Sequence, residues 1–162
     1  MNRPGGLSGL IVGRFDPPHL GHSFLIEQAA LQCDRLVVYV NSRTTDAAPG
    51  ELRAAWLAEL RPDVRVIEVR HDLDTNWNDE GLWAKWIELF RSHWPHESGP
   101  DIVFSSEGYS AGLARRLGAE PIVVDQERIN VPISATMIRT DPARHLDHLA
   151  PSVRAWVEAH WL

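Results

Sequence analysis

The 162-residue sequence predicts an α/β fold: a doubly wound parallel sheet of five strands, with helices on both faces and a helical C-terminal segment. Three observations predict it. Short apolar, β-branched runs recur at residues 7–12, 36–40, 64–69, 102–104 and 121–124. Stretches of helical length and pattern separate most of them, at 23–32, 51–60, 79–93 and 110–117. The runs are nearly continuous in apolar character, which marks strands covered on both faces. Ligands of such sheets bind beyond the carboxyl ends of the strands.

The first strand runs into Gly13, and the helix after it carries Phe24, Leu25, Ile26, Ala29 and Ala30 on its apolar side. Between them, Gly13-Arg14-Phe15-Asp16-Pro17-Pro18-His19-Leu20-Gly21-His22 is a strand-to-helix turn. Unpaired N–H groups at the helix start make such a turn an anion site. The second and third strands lead into loosely composed stretches at 42–50 and 71–79, which are candidate active-site loops because they follow strands. Gly118 stops the fourth helix. After Val124 the pattern changes: Val131-Pro132-Ile133-Ser134 is a loop entering a Ser-capped helix, and past Asp141-Pro142 a last helix runs through Trp161. Residues 1–162 are expected to form one domain, with C-terminal helices from about 134.

Composition narrows the partners. The formal charge is −6 and no long block of Lys or Arg occurs, which disfavours nucleic acid and anionic membrane. No window approaches the apolar length needed to span a bilayer. One cysteine, Cys33, cannot form an internal disulfide, and residues 1–6 lack the apolar stretch of a signal peptide, so a cytoplasmic protein is expected.

His19 and His22 carry the chemistry of the first turn. A histidine pair at this spacing could hold a metal, but Gly21 lies between them and no further ligand set follows, so no protein metal site is expected. Imidazole N–H groups donating to phosphate oxygens fit better, and such bonds strengthen as charge builds during phosphoryl or nucleotidyl transfer. The plain alternative is that glycine and proline merely shape a tight turn. Ile133-Ser134-Ala135-Thr136-Met137-Ile138-Arg139 then supplies a second helix start, with Ser134 as N-cap, Thr136 in the first turn and Arg139 one turn on.

Together the two segments resemble the paired signatures of the nucleotidylyltransferase superfamily, (H/T)xGH after the first strand and ISxTxxR near the end. Further matches are similar to NadR-type nicotinamide mononucleotide (NMN) adenylyltransferases: Pro49-Gly50-Glu51-Leu52-Arg53, Ser105-Ser106-Glu107, residues 117–120 and Val124-Asp125. The resemblance covers most of the chain and implies a Rossmann-like fold. It also implies transfer of AMP from ATP to NMN, giving NAD and pyrophosphate by in-line attack of the NMN phosphate on the α-phosphate. It places His19, His22 and Arg139 as catalytic contacts. Gly13, Arg14, Phe15, Asp16, Gly21, Ser106, Glu107, Tyr109, Ser134 and Thr136 would contact ATP, and Mg²⁺ would be held mainly by the ATP phosphates. Asn41, Arg43 and Arg53 would contact the second substrate, although Arg53 could instead pair with Glu51 or Asp46. Trp83 resembles the ring that stacks on nicotinamide, with Trp77 the second choice and core packing the competing role for Trp83. Trp86, Trp56, Trp94, Trp156 and Trp161 are assigned to packing. No P-loop occurs in the sequence, and the resemblance leaves room for a homo-oligomer. Deamido-NMN, pantetheine phosphate or a cytidylyl acceptor, or a non-catalytic nucleotide sensor, are the alternative readings.

Overall fold

A computed structural model describes residues 6–106, 110–124 and 131–162. Along the chain run β1 (Ser8–Gly13), α1 (Leu20–Ala30), β2 (Arg35–Ser42), α2 (Gly50–Leu60), β3 (Arg65–Arg70), α3 (Glu80–His93), β4 (Ile102–Ser105), α4 (Ser110–Leu117) and β5 (Glu120–Val123). The C-terminal part holds α5 (Ala135–Thr140), a 3₁₀ segment (Pro142–His148) and α6 (Pro151–Trp161). The five strands form one parallel sheet in the order β3-β2-β1-β4-β5, as the apolar runs predict.

Alternation along the strands divides the core. Ile11, Val38, Val40 and Phe104 face Leu25, Ile26 and Leu57 of α1 and α2. Leu10, Val12, Val37, Tyr39 and Val103 face Trp83, Phe90, Leu113 and Leu117 of α3 and α4. Both sheet faces are therefore covered, the reason these strands read as continuous apolar runs. A third cluster, with Trp56, Ile133, Ile138, Val153 and Val157, seats the C-terminal helices on α2. The tryptophans assigned to packing behave accordingly there: Trp156 meets Trp56 and Trp161 edge to face at centroid distances of 5.6 and 5.5 Å.

Connections leave β1 toward β2 on one side of the sheet and reach β4 on the other. That reversal opens a crevice at the carboxyl ends of β1 and β4, the general location of ligand sites in open parallel sheets. α1 differs from its expected start at residue 23. It begins at Leu20 because the His19 side chain caps it, so Gly21 and His22 lie in the first helical turn rather than in the loop. Cys33, just past α1, is half-buried, and burial, reinforced by the charge of Asp34, pushes its thiol up to about 11 despite a backbone hydrogen bond from Arg35.

Candidate active site

A cavity of about 380 Å³ fills the crevice. Its wall includes Gly13, Arg14, Phe15, Asp16, His19 and His22 from the β1–α1 turn, and Ser134, Thr136 and Arg139 from the start of α5. The two signatures, more than a hundred residues apart in sequence, also touch directly: Nη1 of Arg139 donates to the carbonyl oxygen of Asp16, and its Nη2 donates to Thr136 Oγ1 at 3.3 Å. Ser134 caps α5, its Oγ accepting from the Met137 N–H at 3.2 Å.

The two histidines form a reciprocal cap. His19 Nδ1 accepts from the backbone N–H of Gly21 at 3.0 Å and of His22 at 3.4 Å, and His22 Nδ1 accepts from the His19 N–H at 3.2 Å. A nitrogen that accepts carries no proton, so each neutral ring holds its proton on Nε2. The rings stack at 3.7 Å, and the His22 ring meets Phe15 edge to face at 4.6 Å. Each ring therefore donates through Nε2–H, the polarity that suits an anion.

Gly21 has a different role from the expected ATP contact. It is not part of the cavity wall, and its N–H is already given to His19. A Cβ at Gly21 would come within 2.8 Å of the His19 ring, so glycine is what lets that ring fold back over the helix start. Gly13 plays the same part for Phe15, whose ring would lie 3.0 Å from an added Cβ. Phe15 adopts φ +51°, a left-handed conformation that costs a non-glycine residue about 1–2 kcal/mol. Its ring is almost completely buried, which offsets that cost.

Beneath the wall formed by the β1–α1 turn lies an ionic layer. The fully buried Asp16 carboxylate accepts from the N–H groups of Ala47 and Ala48, both at 2.9 Å, pinning the loop after β2 to the first turn. Asp46 accepts from Arg53 at 2.7 Å, from the Arg43 N–H at 2.8 Å and from Arg14 at 3.1 Å. Burial would push the Asp46 carboxyl up, but the Arg43 N–H and the neighbouring Arg53 and Arg14 guanidinium groups hold it below the usual carboxylate range. Arg53 is corrected from substrate contact to scaffold. Its side chain is 0% exposed, and besides Asp46 it binds the carbonyls of Ala48, Arg14 and Asn41. Four of its five N–H groups are held in this way, and Arg53 does not line the cavity.

The other half of the cavity is aromatic and includes Trp77, Trp83, Trp86 and Phe90, with Asn41, Thr75 and Leu113. Two indole N–H groups strap the loop after β3 in place: Trp83 Nε1 donates to the Trp77 carbonyl and Trp86 Nε1 to the Asp74 carbonyl, both at 3.0 Å. Arg43 joins this strap, donating to the Leu73 carbonyl at 3.0 Å, and it does not line the cavity as the expected substrate contact would. Trp83 is buried, and Arg116 lies over its ring at 4.1 Å while pairing with Glu80 at 2.6 Å. Trp77 is 52% exposed. Ser106 lines the cavity at the end of β4, whereas Glu107 and Tyr109 lie outside the described residues, as does Asp125 of the family resemblance.

Asp46, Trp86 and Thr75 were not singled out as site residues from sequence. The signal for Asp46 was its place in a loop after a strand; for Trp86 the three-residue spacing from Trp83 pointed to packing instead.

Known proteins resemble this chain in both sequence and fold. Residues 10–48, the segment from β1 to the loop after β2, match the cytidylyltransferase-like family. Over 165 residues the chain is 28% identical to the trifunctional NAD biosynthesis/regulator protein NadR of Escherichia coli, covering 90% of this chain and 39% of NadR. It is 29% identical over 140 residues to the nicotinamide-nucleotide adenylyltransferase of Thermococcus kodakarensis, covering 81% of this chain and 70% of that protein. The crystal structure of a NadR protein in complex with NAD and AMP-PNP superposes with a TM-score of 0.66 at 26% identity, over 89% of this chain and 44% of that one. In sequence and fold the chain is similar to nucleotidylyltransferases of the NMN adenylyltransferase type. The two segments that carry the resemblance line one cavity and are joined through Arg139 and Asp16. No helix among its described residues is long and apolar enough to cross a membrane.

Proposed function

We propose that this nucleotidylyltransferase transfers AMP from ATP to nicotinamide mononucleotide, releasing pyrophosphate and forming NAD. The observation that carries the proposal is the two-ended cavity: imidazole, hydroxyl and guanidinium donors at one end, and tryptophan rings at the other. A triphosphate suits the first end and a flat pyridinium ring the second.

In this reading a phosphate oxygen of NMN attacks the α-phosphorus in line, the bond from that phosphorus to the bridging oxygen breaks, and pyrophosphate departs with the electron pair. No side chain becomes covalently attached. His19 and His22 donate through Nε2–H to the oxygens that gain charge, and His22 stabilises the α-phosphate or the leaving group. Ser134, Thr136 and Arg139 hold the β- and γ-phosphates, and Arg14 adds a cation near the reacting phosphates. Gly13, Phe15, the Asp16 backbone and Ser106 complete the nucleotide cradle. Mg²⁺ would come with ATP as part of the substrate, held mainly by the phosphates, and would neutralise part of their charge. The Asp16 carboxylate of the cavity wall is turned to the N–H groups of Ala47 and Ala48.

At the aromatic end Trp77 becomes the stacking ring in preference to Trp83. One face of Trp83 is already under the Arg116 guanidinium, which satisfies that ring's attraction for cations, while Trp77 offers half of its surface. Asn41 lies in the same wall. The wall cations Arg14 and Arg139 sit at the phosphate end, and at the aromatic end Arg116 over Trp83 is paired with Glu80 and the described lining side chains are uncharged, which favours the uncharged amide of NMN over the carboxylate of deamido-NMN. A cytoplasmic setting belongs to the same reading, since ATP and NMN are its substrates.

The test is direct. Pure protein is incubated with Mg²⁺, ATP and a panel of phosphorylated acceptors, and pyrophosphate and dinucleotide are measured. NAD formed faster from NMN than the acid dinucleotide from deamido-NMN is the expected result; turnover only with another acceptor rejects the assignment.

A further inference from the structure

We propose that Asp46 is a positioning residue that holds Arg14 over the cavity, its two carboxylate oxygens serving separate ends. The inference rests on the reading that Arg14 serves the reacting phosphates. Oδ2 is turned inward, accepting from Nη2 of Arg53 at 2.7 Å and from the Arg43 N–H at 2.8 Å. Oδ1 is turned toward the site, accepting from Nη2 of Arg14 at 3.1 Å. Burial follows the same gradient: the Arg53 side chain is 0% exposed, Asp46 4% and Arg14 57%. One carboxylate thus connects an enclosed scaffold to a solvent-facing guanidinium in the cavity wall.

The backbone beneath Arg14 is fixed by the same pair. Nη1 of Arg53, whose Nη2 is held by Asp46, donates to the Arg14 carbonyl at 2.6 Å and to the Asn41 carbonyl at 3.2 Å. Main chain and side chain of Arg14 therefore share one anchor. Asp16 lies within 3.8 Å of the Arg14 guanidinium, but its oxygens are taken by the Ala47 and Ala48 N–H groups, so it adds charge rather than orientation. A long arginine left alone would lose rotamer freedom on meeting a phosphate; one held in place beforehand does not.

The separation of the two oxygens defines the test. Asp46→Asn retains one oxygen for the buried side, where two donors compete for it, and sets an NH₂ group against Arg14, where donor meets donor. With ATP and NMN, D46N is expected to lower kcat about tenfold with little change in either KM, the signature of lost preorganisation. In the double variant with Arg14→Ala, turnover is expected to equal that of Arg14→Ala alone. A further loss in the double variant, of the size seen for D46N alone, overturns the proposal, because a purely structural role for Asp46 does not need Arg14. Wild-type protein supplies a second measurement, available even if D46N does not fold. The Arg14 Nε–Hε resonance, assigned by its absence in Arg14→Lys, is expected to show a rigid guanidinium before any nucleotide is added. A freely reorienting Arg14 rejects the proposal. This measurement needs no turnover, so absence of NAD synthesis by the wild type counts against the proposed reaction alone.

Discussion

The phosphate end and the aromatic end of the cavity are built by opposite strategies. At the phosphate end, backbone and side chain interlock within a few residues: His19 and His22 cap each other's helix turn, Gly21 makes room for the ring, and Ser134 caps α5 three residues from its partner. At the aromatic end the wall is assembled from rings that reach across the fold. Trp83 and Trp86 of α3 hold carbonyls of the loop after β3, and Arg116 of α4 closes over Trp83. The caps of the first end are local, with Arg139 and Asp16 adding ties across the fold, whereas the second end draws its shape from packing and changes with whatever packs there.

The largest expected effect separates the two roles of His22. His22→Ala should lower kcat about 10²–10³-fold through loss of a transition-state donor. It should also cost about 1 kcal/mol of stability through loss of the reciprocal cap. His22→Asn can restore an acceptor to the His19 N–H without restoring a donor at Nε2. Thermal unfolding of the asparagine variant should therefore recover toward wild type while turnover stays low. If turnover recovers with stability, His22 is a helix cap and the comparison of the two ends loses its chemical half.

How much of each end was legible follows from this construction. The run from Gly13 to His22 and the run from Ser134 to Arg139 carry their geometry in short-range hydrogen bonds, so spacing alone exposed both. What spacing could not show was the partition within them, with Gly21 spent on His19 and Arg139 reaching back to Asp16, since side-chain direction depends on the tertiary fold. The five parallel strands were readable because each is covered on both faces. Arg53 was harder. A buried arginine and a phosphate-binding arginine look alike in sequence, and only the enclosure by Asp46 and three carbonyls decides between them. Trp83 and Trp77 posed the same problem: both are flat rings near a strand end, and the cation over one of them comes from a helix more than thirty residues away.

The aromatic end is tested by its two alternative rings, exposed Trp77 and buried Trp83. Trp77→Ala should raise the KM for NMN by about 5–30-fold, the equivalent of about 1–2 kcal/mol of cation–π stacking, and leave the KM for ATP unchanged. Trp83→Ala should instead register in stability, about 3–5 kcal/mol for a large buried aromatic removed from the core. Trp83→Phe keeps most of the bulk and loses the N–H that holds the Trp77 carbonyl, so it should shift KM for NMN less than Trp77→Ala does. The opposite ranking returns the stacking role to Trp83.

The smallest effect concerns the strap itself. His71 Nδ1 accepts from the Leu73 N–H at 3.1 Å, and its ring meets Trp86 edge to face at 4.5 Å. Burial, then the charge of Arg43 with a smaller contribution from Arg14, holds His71 below its ordinary value against the opposing pull of Asp46 and Asp72. A depressed histidine binds more protons unfolded than folded, so its contribution to stability is complete above the unfolded value near 6.5 and declines as pH falls through the folded one. Protonation converts Nδ1 from acceptor to donor and removes the hold on Leu73. The KM for NMN should thus rise a few-fold as pH falls through the depressed range in which His71 takes up its proton, while the KM for ATP changes less. His71→Asn retains a side-chain acceptor that does not titrate in this range, and it should flatten the pH profile for NMN alone. An unaltered profile in that variant assigns the pH dependence to another group and leaves His71 with a packing role beside Trp86.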